Sequence, residues 1–151
     1  VEYSEDVFIG YRYYETYKIE PRFCFGHGLS YTNFEYKDLK LDKSKLKGSE
    51  NLKISFILKN VGTRAGLEVV QLYIRDVESN VPRPYKELKR FCKKYLNPDE
   101  QVEIQFEISR EDLAYFDESI MNWNVESGEF EILIGSSSKD IRLRVKFIYE
   151  N

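Results

Sequence analysis

The chain has 151 residues, a length that suits one domain with a single hydrophobic core. Its 23 basic and 26 acidic side chains give a net charge of -3, and no run of one sign is long enough to indicate binding to nucleic acid or to a membrane surface. No stretch of about 18 apolar residues occurs, so we expect neither a transmembrane helix nor a membrane partner.

The composition favours strands, because 15% of the residues are aromatic and 42% are apolar. Cys24 and Cys92 are the only cysteines. A bridge across a β-sandwich would join two central strands, whereas Cys24 precedes the first predicted strand, so we expect two free thiols and favour a cytoplasmic location. Cys24 and His27 lack the further ligands that zinc requires, so we expect no metal and no cofactor.

Residues 1–33 are rich in aromatic rings but follow no regular hydrophobic period. Pro21 interrupts the segment, so we expect an extended arm. Two interpretations of the rings stay open: they cover a face of the following domain, or they pack on a domain that this sequence does not contain. The side chains concerned are Phe8, Ile9, Tyr11, Tyr13, Tyr14, Tyr17, Ile19, Phe23 and Phe25.

The arm ends in residues 25–32, which read Phe-Gly-His-Gly-Leu-Ser-Tyr-Thr. Gly26 and Gly28 would allow a positive φ or a close approach to another surface, so the chain is expected to turn here. We interpret His27 as a hydrogen-bonding spacer and not as a catalytic base. The segment does not match a dinucleotide or phosphate motif, because a third glycine and a following helix are missing.

From Phe34 onward, apolar and polar residues alternate, with turn residues about every eight to twelve positions. This pattern predicts an all-β domain over residues 34–151, a two-sheet antiparallel sandwich of about seven or eight strands. Residues 52–58 alternate most regularly, and residues 68–76 are apolar on both faces, which predicts a central strand. Two prolines predict a loop over residues 78–85.

Four local features complete the predicted domain. The first strand, residues 34–41, has a possible bulge. Residues 97–100, Asn-Pro-Asp-Glu, predict a type I turn. Ser109 is expected to cap a short helix over residues 110–116 by accepting a first-turn N–H. The last strand, residues 141–149, carries basic residues on one face, as suits an edge strand.

Several motifs resemble those of family-3 glycoside hydrolases, the β-glucosidases and β-xylosidases. Residues 25–34 resemble the junction that leads from the catalytic domains of that family into a C-terminal fibronectin type III-like domain. Arg90 and Asp99 depart from the family pattern, which has glycine at both positions, so a local bulge near Arg90 is in doubt. Further resemblances lie in residues 8–14, 60–73, 83–91 and 123–130.

The resemblance implies an immunoglobulin-like, fibronectin type III-like sandwich over residues 34–151, preceded by an arm, residues 1–33, from the preceding catalytic domain. No catalytic residue can be carried over, because the nucleophilic aspartate of the family belongs to a Ser-Asp-Trp segment, and Asn122 precedes Trp123 here. We therefore expect no catalytic, cofactor-binding or metal-binding residue. The implied role is a non-catalytic, structural domain of a parent enzyme acting on β-linked gluco- or xylo-oligosaccharides, with the catalytic domains of the same chain as partners.

Two other functions stay open. The first is a carbohydrate-binding module for poly- or oligosaccharides, in which exposed rings form a flat row, although such rings can equally belong to a core or to an interface. The second is a general protein-interaction sandwich, because the fold alone does not fix function. The candidate rings for the first are Tyr73, Tyr85, Tyr95, Tyr115 and Trp123.

Overall fold

The computed structural model describes residues 4–151, in which ten strands and two short helices occur. The predicted all-β sandwich is confirmed. A three-stranded sheet of order β1-β3-β6 faces a five-stranded sheet of order β2-β10-β9-β4-β5, and β7 and β8 form a separate small sheet. The elements are α1 (Tyr11–Thr16), β1 (Phe34–Leu41), β2 (Lys45–Lys47), β3 (Leu52–Asn60), β4 (Gly66–Asp76), β5 (Glu87–Leu96), β6 (Gln101–Ile108), α2 (Arg110–Leu113), β7 (Tyr115–Asp117), β8 (Asn122–Asn124), β9 (Gly128–Gly135) and β10 (Ile141–Glu150).

The core lies between the two large sheets and is filled by the inward residues of alternating strands. In β3 every second residue is buried, as its alternation predicts. Removal of these side chains from water is the main stabilising contribution, about 25 cal/mol for each Å² of apolar surface. The buried core side chains of the central strands are Leu52, Ile54, Phe56, Leu58, Val70, Leu72, Ile74, Phe130, Ile132 and Ile134.

Strand β4 is central, as predicted, and pairs with β5 on one side and β9 on the other. Its residues 70–74 are all buried, although only every second one can face the sandwich core. Tyr73 pairs with Leu133 of β9 on the opposite, outer face, and neither belongs to the core cluster. Their burial requires a second cover on the outer face, and the arm supplies it.

The register of β1 and the turn before β6 both involve aspartates with positive φ. The bulge predicted in β1 is confirmed, with Asp38 (φ 58°) at the register shift. The predicted type I turn at 97–100 is wrong. Glu100 N–H donates to Asn97 O (3.1 Å), and Asp99, at the third position, has a φ of 61°. A positive φ there belongs to a type II turn, and aspartate tolerates it, although glycine does so at lower cost.

Helix α2 follows Ser109, as predicted, but it ends at Leu113, and the chain continues into β7. The Asp112 carboxylate accepts the Ser109 N–H (2.9 Å), and the Ser109 hydroxyl donates to Glu111 (2.6 Å). Arg90 reaches the same helix and forms a two-pronged ion pair with Asp112 (2.7 Å for both contacts).

The strand that contains Arg90 keeps a bulge. Leu72 pairs with Arg90 and Tyr73 with Leu88, so one residue of β5 is unpaired between them. The departure from glycine at position 90 is therefore compatible with the bulge. In β10 only the end pairs with β2, which leaves residues 141–147 at an open edge, as predicted. Neither helix of the described part of the chain is long and apolar enough to cross a membrane.

Candidate docking surface

The arm lies across the outer face of the five-stranded sheet and is not extended throughout, because residues 11–16 form α1. The Tyr11 hydroxyl accepts the backbone N–H of Leu88 (2.8 Å). Its ring stacks on Phe25 (4.8 Å between centroids) and meets Tyr73 edge-on (5.9 Å). Tyr73 is fully buried as a result, and burial raises the pKa of its phenol.

Polar contacts attach α1 to the start of β5. Glu15 and Lys86 form an ion pair whose side chains are only 6% and 5% exposed. Burial lowers the pKa of Lys86, and the hydrogen bond with Glu15 opposes that effect. Arg12 pairs with Glu87 (2.9 Å). The periodicity of the sequence gave no signal for this helix, since the contacts that hold it lie on a distant strand.

The turn near the end of the arm depends on Gly26. Its φ is 77°, and a Cβ atom at this position would overlap the side-chain amide of Gln71. Phe25 O accepts the N–H of Ser138 (2.9 Å) next to this contact. Gly26 therefore combines the positive φ and the close approach expected from the motif. Gly28 has neither, because nothing lies within 4 Å of the Cβ position and its φ is not positive.

Asn60 joins the end of the arm to the sandwich, a role that the sequence reading missed. The side chain is fully buried, and Nδ2 donates to Arg64 O (2.8 Å) and Leu96 O (3.0 Å). Oδ1 accepts from the Thr32 hydroxyl (2.7 Å) and the Gly62 N–H (3.0 Å). The signal in the sequence was an asparagine between a strand and a Val-Gly turn, where a buried amide can satisfy several backbone groups.

Exposed apolar side chains remain on the arm and on the outer face of β4 and β5. Cross-strand pairs set Leu67 beside Tyr95 and Gln71 beside Phe91 on the outer face of β4 and β5. The arm comes close to this face at Gly26, whose Cβ position meets the side chain of Gln71. We call the following set the docking surface: Phe25 (46% exposed), Leu29 (94%), Tyr31 (90%), Leu67 (51%), Phe91 (63%) and Tyr95 (64%).

The opposite side of the sandwich is different in character. The outer face of the three-stranded sheet carries charged and amide side chains along β6 and β3, with Lys53 opposite Glu107 and Ser55 opposite Gln105. Such a face is suited to water. Within the described residues the exposed apolar surface is thus concentrated on the arm and the outer face of β4 and β5, with a smaller group on the β7–β8 hairpin.

The rings proposed as a sugar-binding row are not brought together. Tyr73 is buried under the arm. Trp123 lies in the separate β7–β8 sheet, edge-on to Phe116 (5.8 Å). Tyr85 stacks with the Arg75 guanidinium (4.4 Å), and Tyr115 packs against the Arg83 guanidinium.

The remaining candidate groups form no recognisable reaction centre. Among residues 4–151, no cluster of three or more His, Cys, Asp or Glu is placed to hold a metal ion. The His27 ring lies beside Phe23 (5.4 Å between centroids). Cys24 Sγ is 3.4 Å from Ser137 Oγ, and Cys92 is half-buried, which raises the pKa of its thiol.

Comparison with known proteins identifies the domain. The model of the fibronectin type III-like domain matches residues 68–138. Residues 68–138 are thus a match to a fibronectin type III-like domain, as the resemblance implied. The fibronectin type III-like match takes in most of β4 and all of β5, β6 and β9, and so includes strands of both large sheets.

The relatives of this fibronectin type III-like domain confirm the resemblance to family-3 glycoside hydrolases. Thermostable beta-glucosidase B of Acetivibrio thermocellus is 54% identical over 144 residues, which cover 95% of this chain and 19% of the relative. Beta-glucosidase BoGH3A of Bacteroides ovatus is 45% identical over 148 residues, 98% of this chain and 20% of the relative. The chain thus spans about a fifth of the length of these curated relatives.

Solved structures give the same result at the level of the fold. Beta-glucosidase 3B from Thermotoga neapolitana, in complex with α-D-glucose, superposes with a TM-score of 0.87 at 43% identity and covers 97% of this chain and 20% of that one. A GH3 β-glucosidase from Bifidobacterium adolescentis gives a TM-score of 0.90 at 34% identity, over 96% of this chain and 21% of that one. Coverage in both includes residues of the arm as well as the sandwich.

Proposed function

We propose that the chain is a non-catalytic accessory domain of a larger β-glucosidase-like protein, and that it stabilises the catalytic domains of that protein by packing against them. The observation that carries this proposal is the docking surface. Six apolar side chains, four of them aromatic, are between 46% and 94% exposed on the arm and on the outer face of β4 and β5. A free soluble domain rarely leaves so many large apolar groups in contact with water.

The arm supports the same proposal from its other side. Tyr11 faces the sandwich, whereas Tyr17 (56% exposed) and Phe23 (66% exposed) face away from it. An element that is anchored on one side and apolar on the other is suited to lie between two domains. Both interpretations of the arm therefore apply, each to different rings.

The proposed absence of catalytic residues follows from what a glycosidase requires. Two carboxylates must flank a sugar-sized site, about 5 to 9.5 Å apart, and one of them needs a raised pKa. Burial raises the pKa of Glu68 and of Asp76. Asp76, however, forms an ion pair with Arg83 (3.1 Å), and Glu68 and Asp76 lie near opposite ends of β4. Neither lines the cavity beside Glu15 and Lys86 or the cavity beside Lys40 and Phe106.

Two experiments test the proposed function. The purified chain should not hydrolyse aryl β-glucosides or β-xylosides. In the longer protein, deletion of residues 34–151 should lower the melting temperature of the catalytic domains, because their contact surface becomes exposed. Hydrolysis by the chain alone would overturn the non-catalytic role. A deletion that changes neither the melting temperature nor the activity would overturn the stabilising role.

A carbohydrate-binding role based on a flat row of rings finds no support in the arrangement of the five candidate rings. A general protein-interaction role would also use the docking surface. It differs in its partner: it predicts that the chain binds a separate protein, with no hydrolase domain in the same reading frame.

A further inference from the structure

The loop of residues 27–31, which we call the junction loop, holds the two most exposed large apolar side chains of the described residues. Leu29 is 94% exposed and Tyr31 is 90% exposed. The other four members of the docking surface are between 46% and 64% exposed, so part of each rests on the domain. Leu29 and Tyr31 have almost no such support within the chain.

The junction loop is held in place at both ends. Before it, Phe25 O accepts the N–H of Ser138 (2.9 Å). After it, the Thr32 hydroxyl donates to the fully buried side chain of Asn60 (2.7 Å). A loop with fixed ends loses less conformational entropy when it binds than a free one does, so its two apolar side chains are presented in advance for a partner.

The backbone of the loop is open to another surface at Gly28. Nothing lies within 4 Å of the Cβ position of Gly28, and its φ is not positive. The domain itself therefore does not require glycine there. A glycine lets a partner approach the backbone more closely than any side chain would allow.

The chemistry of the segment favours an apolar pocket as its partner. His27 is the only residue with a titratable acidic or basic side chain between Phe25 and Phe34, so insertion of the loop into an apolar site removes no carboxylate, ammonium or guanidinium group from water. Leu29 can be enclosed completely, whereas the amphipathic ring of Tyr31 suits the mouth of a pocket, where its hydroxyl stays in water.

The partner is best supplied by the rest of a longer chain. The chain covers 19% of one curated relative and 20% of another, which leaves room for further domains. A second copy is less suitable, because the cavity beside Glu15 and Lys86 and the cavity beside Lys40 and Phe106 are lined mainly by charged and polar side chains.

We propose that the junction loop is the inserted part of the docking surface. Leu29 fills a closed apolar pocket on a neighbouring domain of the same longer chain, Tyr31 packs at the mouth of that pocket, and the backbone at Gly28 lies against its rim. This inference rests on the proposed docking role and adds that the contact is an insertion and not a flat face.

Two substitutions of opposite size at Leu29 test the insertion. Leu29→Ala leaves the pocket partly empty and Leu29→Trp does not fit into it, so each should lower the melting temperature of the longer protein by about 3 °C or more. In the isolated chain each should shift it by less than about 1 °C, because Leu29 is 94% exposed. Loss with both the smaller and the larger side chain indicates a closed pocket, since a flat face would accept the tryptophan.

Ile120→Ala and Ile120→Trp are the matched controls. Ile120 is 58% exposed in the turn between β7 and β8, outside the docking surface, and neither variant should shift the melting temperature of either protein by more than about 1 °C. The insertion is overturned if Leu29→Trp leaves the melting temperature of the longer protein unchanged or raises it. It is also overturned if the Ile120 variants lower that temperature as much as the Leu29 variants do.

Phe91→Ala separates this inference from the docking role. If Phe91→Ala lowers the melting temperature of the longer protein and the Leu29 variants do not, the docking role stands and the insertion fails. If none of the three lowers it, both fail. Sedimentation velocity should show the isolated chain as a monomer, and a dimer that Leu29→Ala dissociates would overturn the proposal in favour of a second copy.

Discussion

Gly26 and Gly28 flank the same histidine, but only the position of Gly26 requires a glycine in this structure. Gly26 has a φ of 77° and contacts Gln71 at its Cβ position, whereas Gly28 lies in open space. Gly26→Ala should lower the free energy of unfolding by about 2 kcal/mol, through backbone strain and steric overlap. Gly28→Ala should change it by less than about 0.5 kcal/mol. Urea denaturation followed by circular dichroism measures both.

Equal losses in the two glycine variants would contradict this assignment. The comparison also bears on docking. If Gly28→Ala is harmless in the isolated chain but destabilises the longer protein, the second glycine is needed for contact with another domain.

Asn60 is the second residue with a large expected effect. Asn60→Ala removes two donated and two accepted hydrogen bonds at a fully buried position. Because the partner groups remain buried, the free energy of unfolding should fall by about 3 kcal/mol. Asn51→Ala is the matched control. It removes one exposed contact, to Glu107, and should cost less than about 0.5 kcal/mol. A loss below about 1 kcal/mol for Asn60→Ala would show that the arm is not anchored there.

Two buried tyrosines should make the stability of the protein fall at alkaline pH. Burial raises the pKa of Tyr36 and Tyr73 above the usual value for a phenol. Below pH 10 both phenols are protonated in the folded and unfolded states, so their stabilising contribution is complete. Above pH 10 the unfolded phenols lose protons and the folded ones retain them, so stability falls, by about 1 kcal/mol for each pH unit and each group.

The measurement is the slope of the unfolding free energy against pH, from urea denaturation between about pH 10.5 and 11.5, compared between the unchanged protein and Tyr36→Phe. Lys86 and Lys89, whose pKa values are lowered, contribute to both slopes and cancel in the comparison. Tyr36→Phe should remove about half of the slope that the two phenols contribute. A slope that Tyr36→Phe leaves unchanged would show that the phenol titrates normally in the folded protein.

At the scale of elements, strands with a strict two-residue alternation were predictable from the sequence, and β3 is the best example. The alternation specifies which face is buried without reference to any other segment. Helix α1 was not predictable, because its contacts with Tyr73, Lys86 and Leu88 come from strands more than about 60 residues away. The turn at Asp99 was misassigned, since proline at the second position is common to types I and II.

The division of the chain at residue 33 into an arm and a sandwich remains a proposal, and the arm's contacts make it testable. Residues 34–151 alone would expose Tyr73 and Leu133, which are now 0% and 1% exposed on the outer face. Exposure of two such side chains should lower the free energy of unfolding by about 4 kcal/mol. Urea denaturation of the truncated chain measures this, and a loss below about 1 kcal/mol would show that the arm contributes nothing to the sandwich.

At the scale of the whole molecule, the two outer faces of the sandwich differ in polarity. The face of β3 and β6 is polar, whereas the arm and the outer residues of β4 and β5 expose the docking surface. The sequence indicated that the arm's rings needed a partner, but not which rings face outward, because that depends on how α1 lies on the sheet. Leu67 and Phe91 were not identified as part of a surface, and Tyr95 was grouped with the rings of a sugar-binding row, since the register of β4 and β5 sets the common face of these three residues.

The most direct test of the docking surface is the double variant Leu67→Lys/Tyr95→Glu, made in the isolated chain and in the longer protein. The two positions pair across β4 and β5, so the new side chains can form an ion pair and the net charge is unchanged. We expect the isolated chain to lose less than about 1 kcal/mol, and the longer protein to melt about 5 °C lower because charges are buried at its interface. Gln101→Glu, on the polar face, should alter neither. An unchanged melting temperature of the longer protein would contradict the account.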